Sequence, residues 1–239
     1  MLSPANHNSS LLPDTHPCNG CDVRDLAICG VLETDDLDTF RRLGCSIDLC
    51  DGQSLFHQGD AATRVFTVTL GMLKSFRILA DGRRQVTGFH LPGDFVGTSV
   101  DQEHQFAAEA VGKSRVCAFP VNRFDGFIEE HQPMQRELYI AATRELVQAQ
   151  QQMVLLGRKT AMERVASFLV LLSDRLGHGS VVELPMRRSD IADYLGLTKE
   201  TVSRVVSELK RSRTIRLRAI ERIEILDRTR LDSLAQGDG

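Results

Sequence analysis

Cys18 and Cys21 enclose Asn19 and Gly20, Cys29 follows shortly after, and Cys117 comes far downstream in the run Ser114-Arg115-Val116-Cys117-Ala118-Phe119-Pro120. Four thiolates suffice to hold a 4Fe-4S cluster, and a short loop containing Gly20 lets two sulfurs reach adjacent irons. Four cysteines also suit tetrahedral zinc, and spacing alone does not separate the two. The chain has six cysteines in all. In a reducing compartment such residues serve as ligands, sensors or small buried groups more often than as disulfides. Cys45 and Cys50 read as small residues at the entry to a β-rich region. His16, beside Cys18, reads as a residue of a polar tail.

A second group of residues could read nucleic acid. Ser189 to Leu195 can form a short helix with Ile191, Ala192 and Leu195 inward. Gly196-Leu197-Thr198 then makes a turn, with glycine permitting positive φ and Thr198 able to cap a second helix. From Lys199 to Arg211, Val202, Val205, Val206 and Leu209 fall on one helical face. Lys199, Glu200, Ser203 and Arg204 fall opposite it, near the N-terminal end, where a recognition helix meets base edges. Arg204 can pair bidentately with guanine, Glu200 can accept from a cytosine amino group, and Ser203 can serve base or phosphate. Lys210 and Arg211 come next as phosphate contacts. Between Lys199 and Arg218, seven Lys or Arg face two Glu, so double-stranded DNA meets a local basic patch.

These groups must be positioned by the rest of the chain. Residues 1–17, rich in Asn, Ser, Pro and His, read as a flexible tail. From about residue 45 to 120, short apolar or alternating runs are separated by turn signals such as His57-Gln58-Gly59-Asp60 and Leu91-Pro92-Gly93-Asp94, the pattern of an antiparallel β-roll. Pro133 can open a helix that runs without Gly or Pro to about Leu156. On it Leu138, Ala142, Leu146, Ala149, Met153 and Leu156 recur at intervals of four and three, which predicts a seam between two copies of the chain. A second helix is expected from about Thr160 to Leu176, and a strand from Val181 to Met186. The resulting expectation is an α+β chain divided into 1–17, a sensory part at 18–132, a dimerisation helix at 133–157, and a DNA-binding domain at 158–239.

Composition limits the function further. At 239 residues the chain can bury two modest cores. Its 29 Lys and Arg against 32 Asp and Glu give a net charge of -3, which excludes a uniformly basic coat for nucleic acid. No apolar run approaches the roughly 18 residues of a membrane span, and the opening MLSPANHNSS lacks the features of a signal peptide, so no membrane partner and a cytoplasmic location are expected. No phosphate loop, catalytic triad or thioredoxin-like context surrounds the cysteines, and no enzyme activity is expected.

Three passages carry a resemblance: Gly88-Phe89-His90-Leu91-Pro92-Gly93-Asp94-Phe95-Val96-Gly97, Gly157-Arg158-Lys159-Thr160-Ala161 through Ser167-Phe168-Leu169, and Leu195-Gly196-Leu197-Thr198-Lys199-Glu200-Thr201-Val202-Ser203-Arg204. Over roughly residues 18 to 228 the chain resembles the Crp/Fnr family, in its Fnr and FixK branch. That resemblance implies a cyclic-nucleotide-binding-like β-roll, a long dimerisation helix and a C-terminal winged helix-turn-helix. It implies a homodimer on a palindrome with TTGAT half-sites, read by Glu200, Ser203 and Arg204, and a touch on RNA polymerase near the hairpin Leu79 to Arg83. The cysteine spacing resembles the longer form of the family's cluster motif. Cys18, Cys21, Cys29 and Cys117 would then hold one 4Fe-4S cluster per chain, switching an activator by oxygen. Where cyclic-nucleotide-binding members carry a Glu and an Arg-Ser pair, this chain has Thr98 and Gln105-Phe106. Lacking a guanidinium for the phosphate, the roll is expected to bind no cyclic nucleotide.

Overall fold

The computed structural model describes residues 18, 21–99, 102–177, 179–219 and 221–238. The tail with His16, and Asn19 and Gly20 of the first cysteine pair, lie outside the described residues. Two 3-10 turns, Arg24–Leu26 and Ile28–Val31, lead into helix α1 (Thr34–Arg41). The roll comes next as β1 (Cys45–Leu49), β2 (Ser54–Phe56), β3 (Arg64–Ile78), β4 (Arg84–His90), β5 (Phe95–Val96) and β6 (Ala107–Pro120). Its sheet runs β1-β6-β3-β4, with β2 also on β6 and β5 on β3, and every pairing is antiparallel. Strands as long as β3 and β6 must bend to close a roll. The bend falls at Gly71, whose φ of +76° and whose approach to Lys113 O, 2.3 Å from where a Cβ would stand, leave room for glycine alone.

After α2 (Val121–Glu130), Pro133 sits in the first turn of the long helix α3 (Gln132–Arg158). Thr160 and Glu163 form a capping box that starts α4 (Ala161–Arg175). The C-terminal part is β7 (Val181–Glu183), α5 (Arg188–Leu195), α6 (Lys199–Arg211), β8 (Ile215–Ala219), β9 (Arg222–Ile225) and α7 (Arg228–Gln236), with a three-stranded sheet β7-β9-β8. Helices carrying a small antiparallel sheet give the expected winged helix-turn-helix. The strand expected to reach Met186 stops at Glu183. Pro185 has no N–H for a ladder, and Leu184 and Met186 are buried instead.

Among the described residues three apolar clusters hold the fold together. One joins the first turns to α1, α2 and the start of α3 through Ile28, Phe40, Phe119, Phe124 and Met134. A second fills the roll with Phe56, Val68, Leu73 and Val116. The third is shared: Met72, Phe76, Val86 and Phe89 of the roll pack with Leu155, Phe168, Leu195, Val202 and Ile223. At its centre the rings of Phe89, Phe168 and Tyr194 lie 5.3 to 5.9 Å apart, centroid to centroid. Among the described residues no helix is long and apolar enough to cross a membrane.

Candidate cysteine centre and nucleic-acid interface

β6 carries Cys117 opposite Ser46 of β1 and Thr67 of β3. Cys29 lies in the turn Ile28–Val31 and, with Cys117, packs against the cluster of Ile28, Phe40 and Phe119. The Cys21 carbonyl accepts from Arg24 N at 3.3 Å, and Arg24 donates to Leu32 O at 2.8 Å, fastening this segment on itself. Cys18 is partly buried and shares a hydrogen bond with the Cys117 thiol.

The thiols act on one another. The Cys117 hydrogen bond, aided by the Arg41 charge and opposed by burial, brings Cys18 down to about 7. The same bond raises Cys117 far above the ordinary thiol range, and burial and the charges of Cys18, Cys21 and Cys29 raise it further. Burial, then Cys18 and Cys21, push Cys29 up to about 11. Cys117 therefore lies within electrostatic reach of the other three, and Cys29 of Cys18 and Cys21, and the donor set is all soft sulfur, which suits iron-sulfur or zinc rather than a hard cation. Among the described residues no three His, Cys, Asp or Glu side chains stand in ready metal-ligating geometry. The fold gathers the thiols into one neighbourhood without closing a ligand shell. Cys45 and Cys50 are exposed.

The turn bearing Cys29 packs directly on α3. Along α3, Leu138 and Leu156 are partly buried against their own chain's clusters. Ala142 and Ala149 are exposed, as are Leu146 at 59% and Met153 at 71%. Tyr139, Val147 and Val154 are exposed too. Sequence reasoning left these three out, although Tyr139, Leu146 and Met153 stand at steps of seven.

The reading element is built from its turn outward. Gly196 takes a φ of +61°, and Thr198 accepts from Thr201 N at 3.2 Å to cap α6. Val202, Val205, Val206 and Leu209 are buried, while Lys199, Glu200, Ser203, Arg204, Lys210 and Arg211 are all exposed. Beside this face, Arg216 and Arg218 on β8 pair with Glu224 of β9 at 3.2 and 2.8 Å, and Arg222 pairs with Glu183.

Thr98, Gln105 and Phe106 line a cavity of about 450 Å³ between the roll, α3 and α4. Arg175 also lines it, donating to Phe89 O at 2.8 Å and pairing with Asp94. His90 on its wall is held down to about 4, chiefly by burial.

The comparisons with known proteins agree with this arrangement. The cyclic nucleotide-binding domain model matches residues 47–131, and the Crp-like helix-turn-helix domain model matches residues 163–234. The nitrogen fixation regulation protein FixK of Bradyrhizobium diazoefficiens is 42% identical over 227 residues, covering 93% of this chain and 95% of that one. The transcriptional activator protein anr of Pseudomonas aeruginosa is 38% identical over 233 residues, covering 95% of each. The solved structure of FixK2 from Bradyrhizobium japonicum superposes with a TM-score of 0.76 at 37% identity, covering 80% of this chain and 96% of that one. A CooA mutant from Carboxydothermus hydrogenoformans, at 16% identity and a TM-score of 0.75, shares the fold. With relatives this similar along nearly the whole chain and both domain models matched in order, the chain belongs to the Crp/Fnr family of DNA-binding transcription regulators.

Proposed function

We propose that this protein is a homodimeric, oxygen-responsive transcription activator that binds TTGAT-type palindromes when a 4Fe-4S cluster is held by Cys18, Cys21, Cys29 and Cys117. The observation that carries this reading is the gathering of four thiols from three separate stretches, one of them on a turn packed against α3. When bound, such a cluster supplies an oxygen-labile cross-link among those stretches.

The chain's own residues do the rest. Cys117 anchors the centre to the roll, and the Cys29 turn rests on α3, so their attachment favours one position of the long helix. Leu146 and Met153, exposed in the single chain, bury against their counterparts in a second copy. Two α6 helices are then set one turn of DNA apart. Arg204, Glu200 and Ser203 read the bases, and Lys199, Lys210 and Arg211 meet phosphates. A differential stabilisation of only about 3 kcal/mol would change occupancy more than a hundredfold. The turn Leu79–Arg83, at the exposed tip of the β3–β4 hairpin, is the surface offered to RNA polymerase.

The test is the visible absorbance and metal content of protein purified without air, tracked through exposure to air together with binding to the palindrome. A broad brown absorbance that fades as binding is lost supports the reading. Colourless protein carrying zinc makes the centre structural and the signal a different one.

A further inference from the structure

Helix α5, the first helix of the DNA-reading motif, is held at both ends by side chains from three other parts of the molecule. At its N-terminal end the buried Asp190 accepts from Arg187 N at 3.1 Å with one oxygen. With the other it takes Lys74 at 2.8 Å and Arg84 at 2.7 Å, both from the β3–β4 hairpin of the roll. Lys74 also pairs with Glu109 at 2.9 Å, and Arg84 with Asp193 at 3.0 Å. At the C-terminal end, the carbonyls that a helix leaves without partners are each claimed. Gln85 of the roll donates to Asp193 O at 2.6 Å, Gln152 of α3 donates to Tyr194 O at 2.6 Å, and Arg164 of α4 donates to Leu195 O at 2.9 Å.

We propose that α5 is the element through which the roll and the long helix jointly set the pose of recognition helix α6, with Arg84 and Gln152 the positioning residues that tie each of them to it. Apolar contacts alone would let the DNA-reading module slide over the roll, because they are non-directional. A buried carboxylate with two cationic partners does not tolerate sliding, since any shift leaves a charge uncompensated. α6 must move with α5: only Gly196-Leu197-Thr198 separate them, and Ile191, Leu195, Val202 and Val206 share one core. Gln152 lies next to Met153 on α3. A change in how two long helices pair therefore displaces the amide that holds Tyr194 O.

This inference rests on α6 being the DNA-reading helix. Its test uses the full-length dimer carrying Arg84→Gln, Asp193→Asn, both together, or Gln152→Met. Two quantities are read: amide hydrogen exchange of residues 188–211 without DNA, and affinity for the TTGAT palindrome. Each single change is expected to speed exchange across α5 and α6 more than in the roll core around Val68 and Val116, and to weaken DNA binding roughly tenfold, the scale of coupling within one ion network. Because Arg84 already loses Asp193 when it is replaced, the double change should lose little more than Arg84→Gln alone. Exchange and affinity unchanged in the single variants, or a double variant whose loss is the sum of the two singles, would overturn the proposal. Should Arg84→Gln fail to fold, Asp193→Asn and Gln152→Met, which leave Asp190 with both its cations, still decide it. If the parent ignores the palindrome while the exchange effect appears and is not additive, the DNA reading fails and the positioning role of α5 stands.

Discussion

Cys117, on the last strand of the roll, shares a hydrogen bond with Cys18, which precedes the first helix. The far ends of the sensory part thus already meet through sulfur. Replacing Cys18, Cys21, Cys29 or Cys117 by Ser is expected to remove bound iron and sulfide, because in the proposed centre each would supply one ligand. Cys45→Ser and Cys50→Ser, at exposed positions, should retain both. Full iron and sulfide in the Cys117 variant would exclude that ligand.

Leu146→Glu should yield a folded monomer that no longer binds the palindrome. The side chain is 59% exposed in the single chain, so the charge costs little until a symmetric partner buries it beside its own copy. Sedimentation as a dimer with normal DNA binding would place the seam elsewhere.

Arg204→Ala should cost about 1 to 3 kcal/mol per half-site and relax the preference for guanine, since a bidentate base contact is lost. Lys210→Ala should weaken binding to every sequence alike, because phosphates carry no sequence information. Binding of both variants to the palindrome, to its single-base variants and to random DNA separates the two roles.

Gly196→Ala should destabilise the protein by about 1 to 2 kcal/mol, the cost of a left-handed conformation for a residue bearing a Cβ. The φ there is +61°, and the added carbon would meet Leu156 at 3.1 Å. Denaturant midpoints measure the loss. An unchanged midpoint would mean that the turn relaxes freely.

The acid limb of stability should depend on His90. Burial brings its pKa from 6.5 to about 4 in the folded state, so the unfolded chain binds more protons between those values. Stability from this residue is present above about pH 6.5 and is lost as pH falls toward 4. His90→Gln should flatten that part of the curve of unfolding free energy against pH. A limb as steep as the parent's would assign it to other groups.

Much of the fold could be read from the chain because the signals were local. Pro133, the Thr160–Glu163 box and the Gly196–Thr198 turn mark helix ends within a few residues of where they act. The buried face of α6 comes from simple periodicity. What escaped was set at long range. Nothing near Lys74 announces that its partner is Asp190, and Asp190 reads as an ordinary first-turn acid until the roll is folded against it. Helices α1, α2 and α7 also went unread, their short apolar patterns being too weak to stand apart from their surroundings. On α3, tracing one line of apolar residues hid Tyr139, Val147 and Val154, since an isolated helix gives no sign of how wide its uncovered face will be. For the cysteines, spacing suggested a thiolate site without deciding its occupant, and the gathered thiols remain compatible with iron-sulfur or zinc.

The cluster in which Phe76, Val86 and Phe89 of the roll pack with Phe168, Leu195 and Val202 has a consequence for how the chain comes apart. Two regions that share one apolar core cannot melt separately without exposing it. The roll and the DNA-reading module should therefore unfold together, in a single calorimetric transition. A fragment beginning near Ala161 would present an uncovered surface around Phe168 and Tyr194, and would tend to aggregate rather than persist as an independent domain.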